Sequence, residues 1–154
     1  MTISPSSVLE YSINTPQMEF DLNPLIGEDL KISFTGKINC VNCNNLTNKS
    51  FNQGHCFTCF QTLPGCDMCM MSPEKCHFSK GTCRDESFAQ NFCFQPHTVY
   101  LSETSDVKVG ITRSHQKLTR WMDQGAVQAI EVLQVFNRFD SGKVECALKS
   151  IFKD

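Results

Sequence analysis

The most constraining feature of this sequence is a pair of Cys-x-x-Cys motifs. Cys40 and Cys43 form the first motif, and Cys56 and Cys59 form the second after an interval of twelve residues. Each motif is a tight turn that points two sulfurs at one ion, and two such turns complete a tetrahedron with Zn–S distances of about 2.3 Å. Four thiolates leave no coordination position for water. The sequence therefore predicts a structural zinc site rather than a catalytic one.

More cysteines follow this pair of motifs. Our first choice of ligands for a second metal ion is Cys66, Cys69, Cys76 and Cys83. Cys93 and His97 are the alternatives to the last two of these. Zinc is the expected metal, and an iron–sulfur cluster is the alternative because such clusters also use four thiolates. The sequence thus predicts one or two structural zinc ions.

Cysteine usage also bears on the cellular compartment. The chain has ten cysteines, and nine of them lie between Cys40 and Cys93. Disulfides are the competing explanation, but clustered Cys-x-x-Cys pairs are more typical of metal ligands. The N-terminus lacks the basic start and apolar core of a signal peptide, and no apolar run approaches the roughly 20 residues that span a bilayer. We expect a cytoplasmic protein with no membrane partner, in a compartment where disulfides are rare.

Three segments differ in character. Residues 1–39 contain a strand-like stretch at 30–34. Residues 40–97 are rich in cysteine and poor in apolar runs, so bound metal must supply part of their stability. Residues 98–154 have the pattern of an α+β domain. We take these three segments as the N-terminal segment, the zinc-binding module and the C-terminal domain.

The C-terminal segment predicts a β-β-α-β-α order. The predicted elements are strands at 98–101 and 107–111 with a turn at 104–106, a helix over about 116–124, a strand over 130–139 and a last helix. Ser114 and Ser141 are the predicted N-caps, and Gly125 is predicted to end the first helix.

Charge gives only weak support for a nucleic-acid partner. The formal net charge is −2. Residues 98–154 hold eight basic and seven acidic side chains, so no segment has the strongly basic footprint that is typical of a nucleic-acid binder.

Within the last segment, a series of residues follows a known order. Tyr100 ends Thr98-Val99-Tyr100, Lys108 and Gly110 lie in the second strand, Arg120 precedes Trp121, and Glu145 lies in the last helix. This series resembles the GIY-YIG nuclease-like domain, in which two strands carry the tripeptide motifs, one helix carries an arginine and a later helix a glutamate.

A broader resemblance covers residues 33–152. The stretches that carry it are Ser50-Phe51-Asn52-Gln53-Gly54, Gly81-Thr82-Cys83-Arg84, Gln95-Pro96-His97 and Asp123-Gln124-Gly125-Ala126. Together they resemble an uncharacterised bacterial family in which a Cys-rich module precedes a GIY-YIG-like domain. The expected fold is α+β: an N-terminal strand and a module like a zinc ribbon or treble clef, followed by the small β-β-α-β-α domain.

The resemblance implies a metal-dependent endonuclease that acts on DNA or RNA. Tyr100 would lie beside the attacking water, and Gly110 would allow close approach. Arg120 would stabilise charge on the phosphate. Glu145 would hold Mg²⁺ through one carboxylate, with water at the other positions.

The sequence departs from the pattern at two places. The first motif lacks its Gly and Ile, and Lys108 stands where the family has its second tyrosine. The chain also ends soon after the helix with Glu145, as expected of a truncated domain. The alternative function is a non-catalytic module that binds nucleic acid or protein through a degenerate nuclease scaffold. A protein partner is not specified by the sequence.

Overall fold

The computed structural model describes residues 10–15 and 18–152, and contacts divide the chain into two units that meet between Lys37 and Ile38. The first unit contains an antiparallel pair of short strands, β1 (Ser12–Asn14) and β2 (Glu19–Asp21), followed by a 3₁₀ turn at Asn23–Leu25.

The strand predicted at residues 30–34 is wrong. This stretch has no regular structure, and the side chains of Ile32 and Phe34 are 81% and 75% exposed. A strand is stable only when a neighbour accepts its backbone hydrogen bonds, and no described strand pairs with residues 30–34. The N-terminal segment does contain strands, but they lie earlier in the chain.

The second unit begins with a hairpin and a run of short helical segments. Two short strands, β3 (Ile38–Asn39) and β4 (Leu46–Thr47), pair in antiparallel fashion. The following helices are α1 (Phe57–Thr62), α2 (Met68–Met71) and α3 (Glu86–Phe88), the last of which continues as a wide π turn over Ala89–Cys93. The 3₁₀ turns between them are Pro64–Cys66, Pro73–Lys75 and Phe78–Lys80. Proline at the first position of two of these turns suits a helix start.

A three-stranded antiparallel sheet forms the rest of the unit. Its order is β6 (Val107–Arg113), β5 (His97–Glu103) and β7 (Gln128–Val135), with β5 in the centre. Most side chains of β5 are buried, on both faces of the strand. The predicted hairpin and third strand are therefore confirmed, although β7 is shorter than predicted because Asn137 starts a helix.

Two helices accompany the sheet, α4 (Lys117–Asp123) and α5 (Arg138–Lys149). Gly125 follows α4 with φ +65°, and its N–H donates to the carbonyl of Met122, as predicted. A 3₁₀ turn at Ser114–Gln116 precedes α4.

Both predicted N-caps are wrong. The hydroxyl of Ser114 lies 3.0 Å from the hydroxyl of Thr98 and does not cap α4. Ser141 lies inside α5, fully buried, and its hydroxyl donates to the carbonyl of Arg138. Asn137 caps α5 instead, because its side-chain oxygen accepts the N–H of Asp140 at 2.8 Å.

The mixed α+β class is confirmed, with small sheets, short helices and a cysteine cluster. Residues 97–149 follow the expected β-β-α-β-α order. The boundary at residue 97 stays a prediction, and packing crosses it: a Cβ on Gly142 of α5 would come within 2.6 Å of Cβ of Pro73. None of the helices in the described ranges is both long enough and apolar enough to cross a membrane.

Candidate metal centre and cleft

The four cysteines of the two Cys-x-x-Cys motifs converge on one point. Their sulfur atoms all lie within 4.8 Å of one another, close enough to hold a metal ion such as zinc. The sulfurs of Cys43 and Cys56 are 3.8 Å apart. Two sulfurs that each lie about 2.3 Å from one ion at a tetrahedral angle are separated by about 3.8 Å. The spacing of this pair therefore matches that of two ligands of one zinc ion.

Local backbone structure aligns the two turns. Cys40 and Cys43 lie at the loop between β3 and β4, whereas Cys56 and Cys59 lie at the start of α1. Gly54 connects the two parts: its carbonyl accepts the N–H of Val41 at 2.9 Å. Its φ is +120°, and an added Cβ would lie 2.6 Å from Cγ1 of Val41. Glycine is therefore required where the second turn approaches the first.

Two of the four thiols have pKa values that are shifted in opposite directions. The backbone N–H groups of Cys43 and Cys56 lower the pKa of Cys40 to about 5. The side-chain amide of Asn42 donates to Sγ of Cys59 at 3.4 Å, which lowers the pKa of Cys59. Burial and the neighbouring thiols outweigh this hydrogen bond and raise the pKa of Cys59 to about 12. Four thiolates cannot coexist at this distance without a cation, and a divalent ion supplies the missing charge.

The remaining cysteines of the module surround a second, smaller space. A cavity of about 20 Å³ is lined by the sulfur-bearing residues Cys69, Cys76, Cys83 and Cys93. Cys66 is buried but does not line this cavity, and neither does the predicted alternate His97. The imidazole of His97 is fully buried, with Nδ1 2.7 Å from the carbonyl of Gln95. Cys93 therefore lines this cavity with the other three thiols, whereas Cys66 does not.

Burial favours the protonated form of two thiols of this space, those of Cys69 and Cys93. It raises the pKa of Cys69 to about 12, with a further contribution from the charge of Asp67. Burial likewise raises the pKa of Cys93.

A network of ion pairs lies beside these cysteines. Oδ1 of Asp67 is 3.0 Å from Nε2 of His77, and Oδ2 is 2.9 Å from Nε of Arg84. Nδ1 of His77 is 2.8 Å from the hydroxyl of Thr82. Asp67, Cys69 and His77 are close enough to form a metal site, but hydrogen bonds already occupy the carboxylate and both imidazole nitrogens. The geometry favours a network of ion pairs and hydrogen bonds over a metal site at these three residues.

The five residues of the GIY-YIG-like series line one cleft, although they are spread over 46 positions of the sequence. The cleft has a volume of about 720 Å³, and the members of the series that line it are Tyr100, Lys108, Gly110, Arg120 and Glu145. Its size is typical of ligand-binding sites. Four separate elements of the C-terminal segment contribute these side chains, namely β5, β6, α4 and α5.

Tyr100 is the most constrained residue of the cleft. Its side chain is buried, and its hydroxyl donates to Oε1 of Gln124 at 2.7 Å. Its ring meets that of Trp121 edge-on at 5.8 Å. Burial raises the pKa of Tyr100, although Arg120 opposes this. The phenol is therefore a neutral hydrogen-bonding group near pH 7.

Sequence analysis missed two cations that line the cleft. Arg113 ends β6, and Arg138 begins α5. Their guanidinium carbons lie 4.3 Å and 5.8 Å from the ring centroid of Phe92, which also lines the cleft. No local motif marks these residues, because only the folded chain brings β6, α5 and the π turn together.

The cleft combines a positive lining with a single carboxylate. Four cations line it, Lys108, Arg113, Arg120 and Arg138. Glu145 is the one carboxylate among the described lining residues, and Oε1 lies 3.5 Å from Nζ of Lys149 one helical turn away. Such a lining attracts anions, and phosphate groups in particular suit paired guanidinium donors.

Comparison with known families identifies the chain. The family described as "Protein of unknown function (DUF2797)" matches residues 27–154, so the chain belongs to this family. Searches of curated proteins and of solved structures found no match.

Proposed function

We propose that this member of the DUF2797 family is a zinc-stabilised protein whose cleft binds the phosphate backbone of nucleic acid and hydrolyses it with the help of Mg²⁺. One observation carries the proposal. The five residues that resemble the GIY-YIG series line a single cleft, although three of them lie far apart in sequence. The first Cys₄ cluster would act as scaffold, and a reducing cytoplasm would keep its thiols available as ligands.

The charges of the cleft suit a polyanion. The four cations of the lining come from three elements, β6, α4 and α5, and favour a ligand with phosphate groups. Arg120 lies on α4 and lines the cleft together with Tyr100. Its guanidinium would stabilise the charge that develops on a phosphate. The weak overall charge of the chain implies binding that is local to the cleft and sensitive to salt.

The residues present fit a magnesium ion. Mg²⁺ in phosphate-processing sites is commonly bound by one or two carboxylates together with water and substrate phosphate, and Glu145 supplies one carboxylate to the cleft. The bound ion would polarise the phosphate and lower the pKa of a water molecule. Tyr100 would orient that water through its hydroxyl, which Gln124 holds in place.

Cleavage of DNA and RNA substrates tests the proposal. We expect Mg²⁺-dependent cleavage by the wild-type chain and none by Glu145→Gln, with zinc content and circular dichroism unchanged. Glu131→Gln is the matched control, since this carboxylate lies on β7 outside the cleft and pairs with Lys117. Equal cleavage by Glu145→Gln and wild type would exclude the catalytic assignment.

A second function is favoured by the environment of Tyr100. Its hydroxyl is already bonded to Gln124, its pKa is raised by burial, and Lys108 replaces the second tyrosine. These features suit a module that binds nucleic acid without cutting it. Binding that weakens with salt, is lost in Arg120→Ala and is unaffected by Glu145→Gln would identify this function, provided that no substrate is cleaved.

A further inference from the structure

The second group of cysteines lines a cavity. The thiols at this cavity are not the four that were expected from the sequence as metal ligands. Four thiol side chains from separate segments line it, namely those of Cys69, Cys76, Cys83 and Cys93. Much of the remaining lining is aromatic, from Phe78, Phe88 and Phe94. Asp67, His77 and Arg84 line it as well. A pocket lined by four thiols is suited to a metal ion that prefers thiolates.

We propose that Cys69, Cys76, Cys83 and Cys93 bind a second structural zinc ion, and that Cys66 is not a ligand. Cys69 comes from α2, and Cys76 follows the 3₁₀ turn at Pro73–Lys75. Cys93 ends the π turn. The ion would cross-link these short segments, which bury too little apolar surface to hold one another in place.

The surroundings of Arg138 independently favour a negatively charged group at this site. It lines an adjoining cavity of about 20 Å³ together with Cys69, Cys76 and Cys93. Its Nη2 donates to the carbonyl of Met70 at 2.7 Å, directly after Cys69 in sequence. Its buried Nε has no hydrogen-bond partner among the described residues, and no carboxylate in those ranges forms a salt bridge with it.

A partly buried guanidinium is stabilised by negative charge nearby. Zinc bound by four thiolates carries a net charge of about −2. The proposed centre would add to the negative charge that Glu145 contributes near Arg138. It would also place a metal cross-link close to the cleft. Arg138 lines the cleft and the adjoining cavity, and this adjoining cavity shares Cys69, Cys76 and Cys93 with the proposed centre.

The other donors nearby are already engaged. Both imidazole nitrogens of His77 have partners, and the carboxylate of Asp67 pairs with His77 and Arg84. These residues therefore surround the centre without entering it. Hydrogen-bonded groups of this kind orient metal ligands, as the carboxylate of Asp67 does by accepting the N–H of Cys69 at 3.3 Å.

The four sulfurs of this set do not all lie within 4.8 Å of one another, in contrast to those of the first set. Binding would therefore draw them together. Cys83 lies in a loop between the turn at Phe78–Lys80 and α3, and its sulfur is 3.4 Å from the carbonyl of Asp85. Closure would therefore involve movement of this loop side chain. A weaker affinity for the second ion than for the first is the expected result.

Elemental analysis of the full chain tests the proposal. We expect two zinc ions per wild-type chain, one in Cys93→Ser and two in Cys66→Ser, which is the matched control because Cys66 is buried outside the cavity. Cys56→Ser should lose the other ion, and the Cys56→Ser/Cys93→Ser variant should bind none. One zinc per wild-type chain would overturn the proposal, as would loss of an ion in Cys66→Ser with retention in Cys93→Ser. Iron with acid-labile sulfide would overturn the assignment of zinc.

A titration of the wild-type chain avoids any folding defect of the variants. After removal of metal under reducing conditions, Co²⁺ is added and the thiolate-to-cobalt absorption is followed. Two bound equivalents, the second weaker, support the proposal. Saturation at one equivalent contradicts it.

Discussion

The ring of Tyr100 lies directly over Gly110 on the neighbouring strand. The two residues are partners in the register of β5 and β6, and a Cβ on Gly110 would lie 2.5 Å from Cζ and 2.6 Å from the hydroxyl oxygen of Tyr100. Non-bonded contacts of a Cβ atom are essentially never this short. Glycine at 110 therefore leaves the space that the ring of Tyr100 occupies where its hydroxyl donates to Gln124.

This contact predicts the effect of adding one methyl group. Gly110→Ala should reduce the free energy of unfolding by roughly 1–3 kcal/mol, since overpacking forces a buried ring out of its position. Urea denaturation measures the change. In the Gly110→Ala/Tyr100→Leu double variant the cost of the alanine should largely disappear, because the ring is absent.

Gly65→Ala serves as the control for that series. Nothing lies within 4 Å of a Cβ at this position, and its φ is not in the left-handed region. Its effect should stay within about 0.5 kcal/mol. An equally mild effect of Gly110→Ala would show that the ring of Tyr100 moves freely.

Burial of Tyr100 predicts a pH dependence at alkaline pH. The chain has two tyrosines, so Tyr11→Phe leaves Tyr100 as the only one that titrates. Its tyrosinate absorption should have a midpoint above pH 10, because burial raises the pKa of the phenol in the folded state. The neutral phenol stabilises the folded state fully below pH 10. This contribution is lost as the pH rises from 10 through the folded-state pKa, and a midpoint at or below pH 10 would contradict the buried position.

The sequence was a good guide where the structural signal is local. The spacing of Cys40, Cys43, Cys56 and Cys59 predicts that their sulfurs lie close together. In the structure all four sulfurs lie within 4.8 Å of one another. The hairpin of β5 and β6 follows from β-rich runs on either side of a polar turn. Gly125 ends α4 because a left-handed residue is needed there.

Long-range packing explains the errors. Residues 30–34 have the composition of a strand but no partner, and Ser141 looks like a cap although Asn137 performs that role. The ligand set of the second cysteine group stays a prediction, and folding places Cys93 rather than Cys66 at the cavity. The cations Arg113 and Arg138 join the cleft only through tertiary contacts.

The hydrogen bond from Asn42 to Cys59 predicts a supporting role at the first zinc site. Asn42→Ala should weaken zinc binding about 10- to 100-fold, the range found for residues that orient metal ligands. Competition with a chromogenic chelator measures the affinity. The control is Asn48→Ala, an exposed asparagine in the same hairpin region, which should bind zinc as the wild type does. Unchanged affinity in Asn42→Ala would show that the 3.4 Å contact contributes nothing.

Gly142 predicts a coupling between α5 and the cysteine-rich segment. In an exposed helix interior, replacing glycine by alanine stabilises by about 1 kcal/mol. Here the added Cβ would meet Cβ of Pro73 at 2.6 Å and the backbone nitrogen of Glu74 at 2.8 Å. Because one of these atoms is backbone, the clash cannot be relieved by a side-chain rotation. Gly142→Ala should therefore destabilise the chain by roughly 1–3 kcal/mol, the opposite sign to that of helix propensity.

Thermal or urea unfolding of Gly142→Ala decides between the two signs. The same variant should also release zinc more readily from the second centre, since α5 starts at Arg138 and the turn at Pro73–Lys75 leads into Cys76. Relative to Pro73→Gly alone, the Pro73→Gly/Gly142→Ala variant no longer meets a Cβ at position 73 but still meets the backbone of Glu74, so the cost of the alanine should be only partly relieved. A stabilised Gly142→Ala variant would show that α5 and this turn separate in solution.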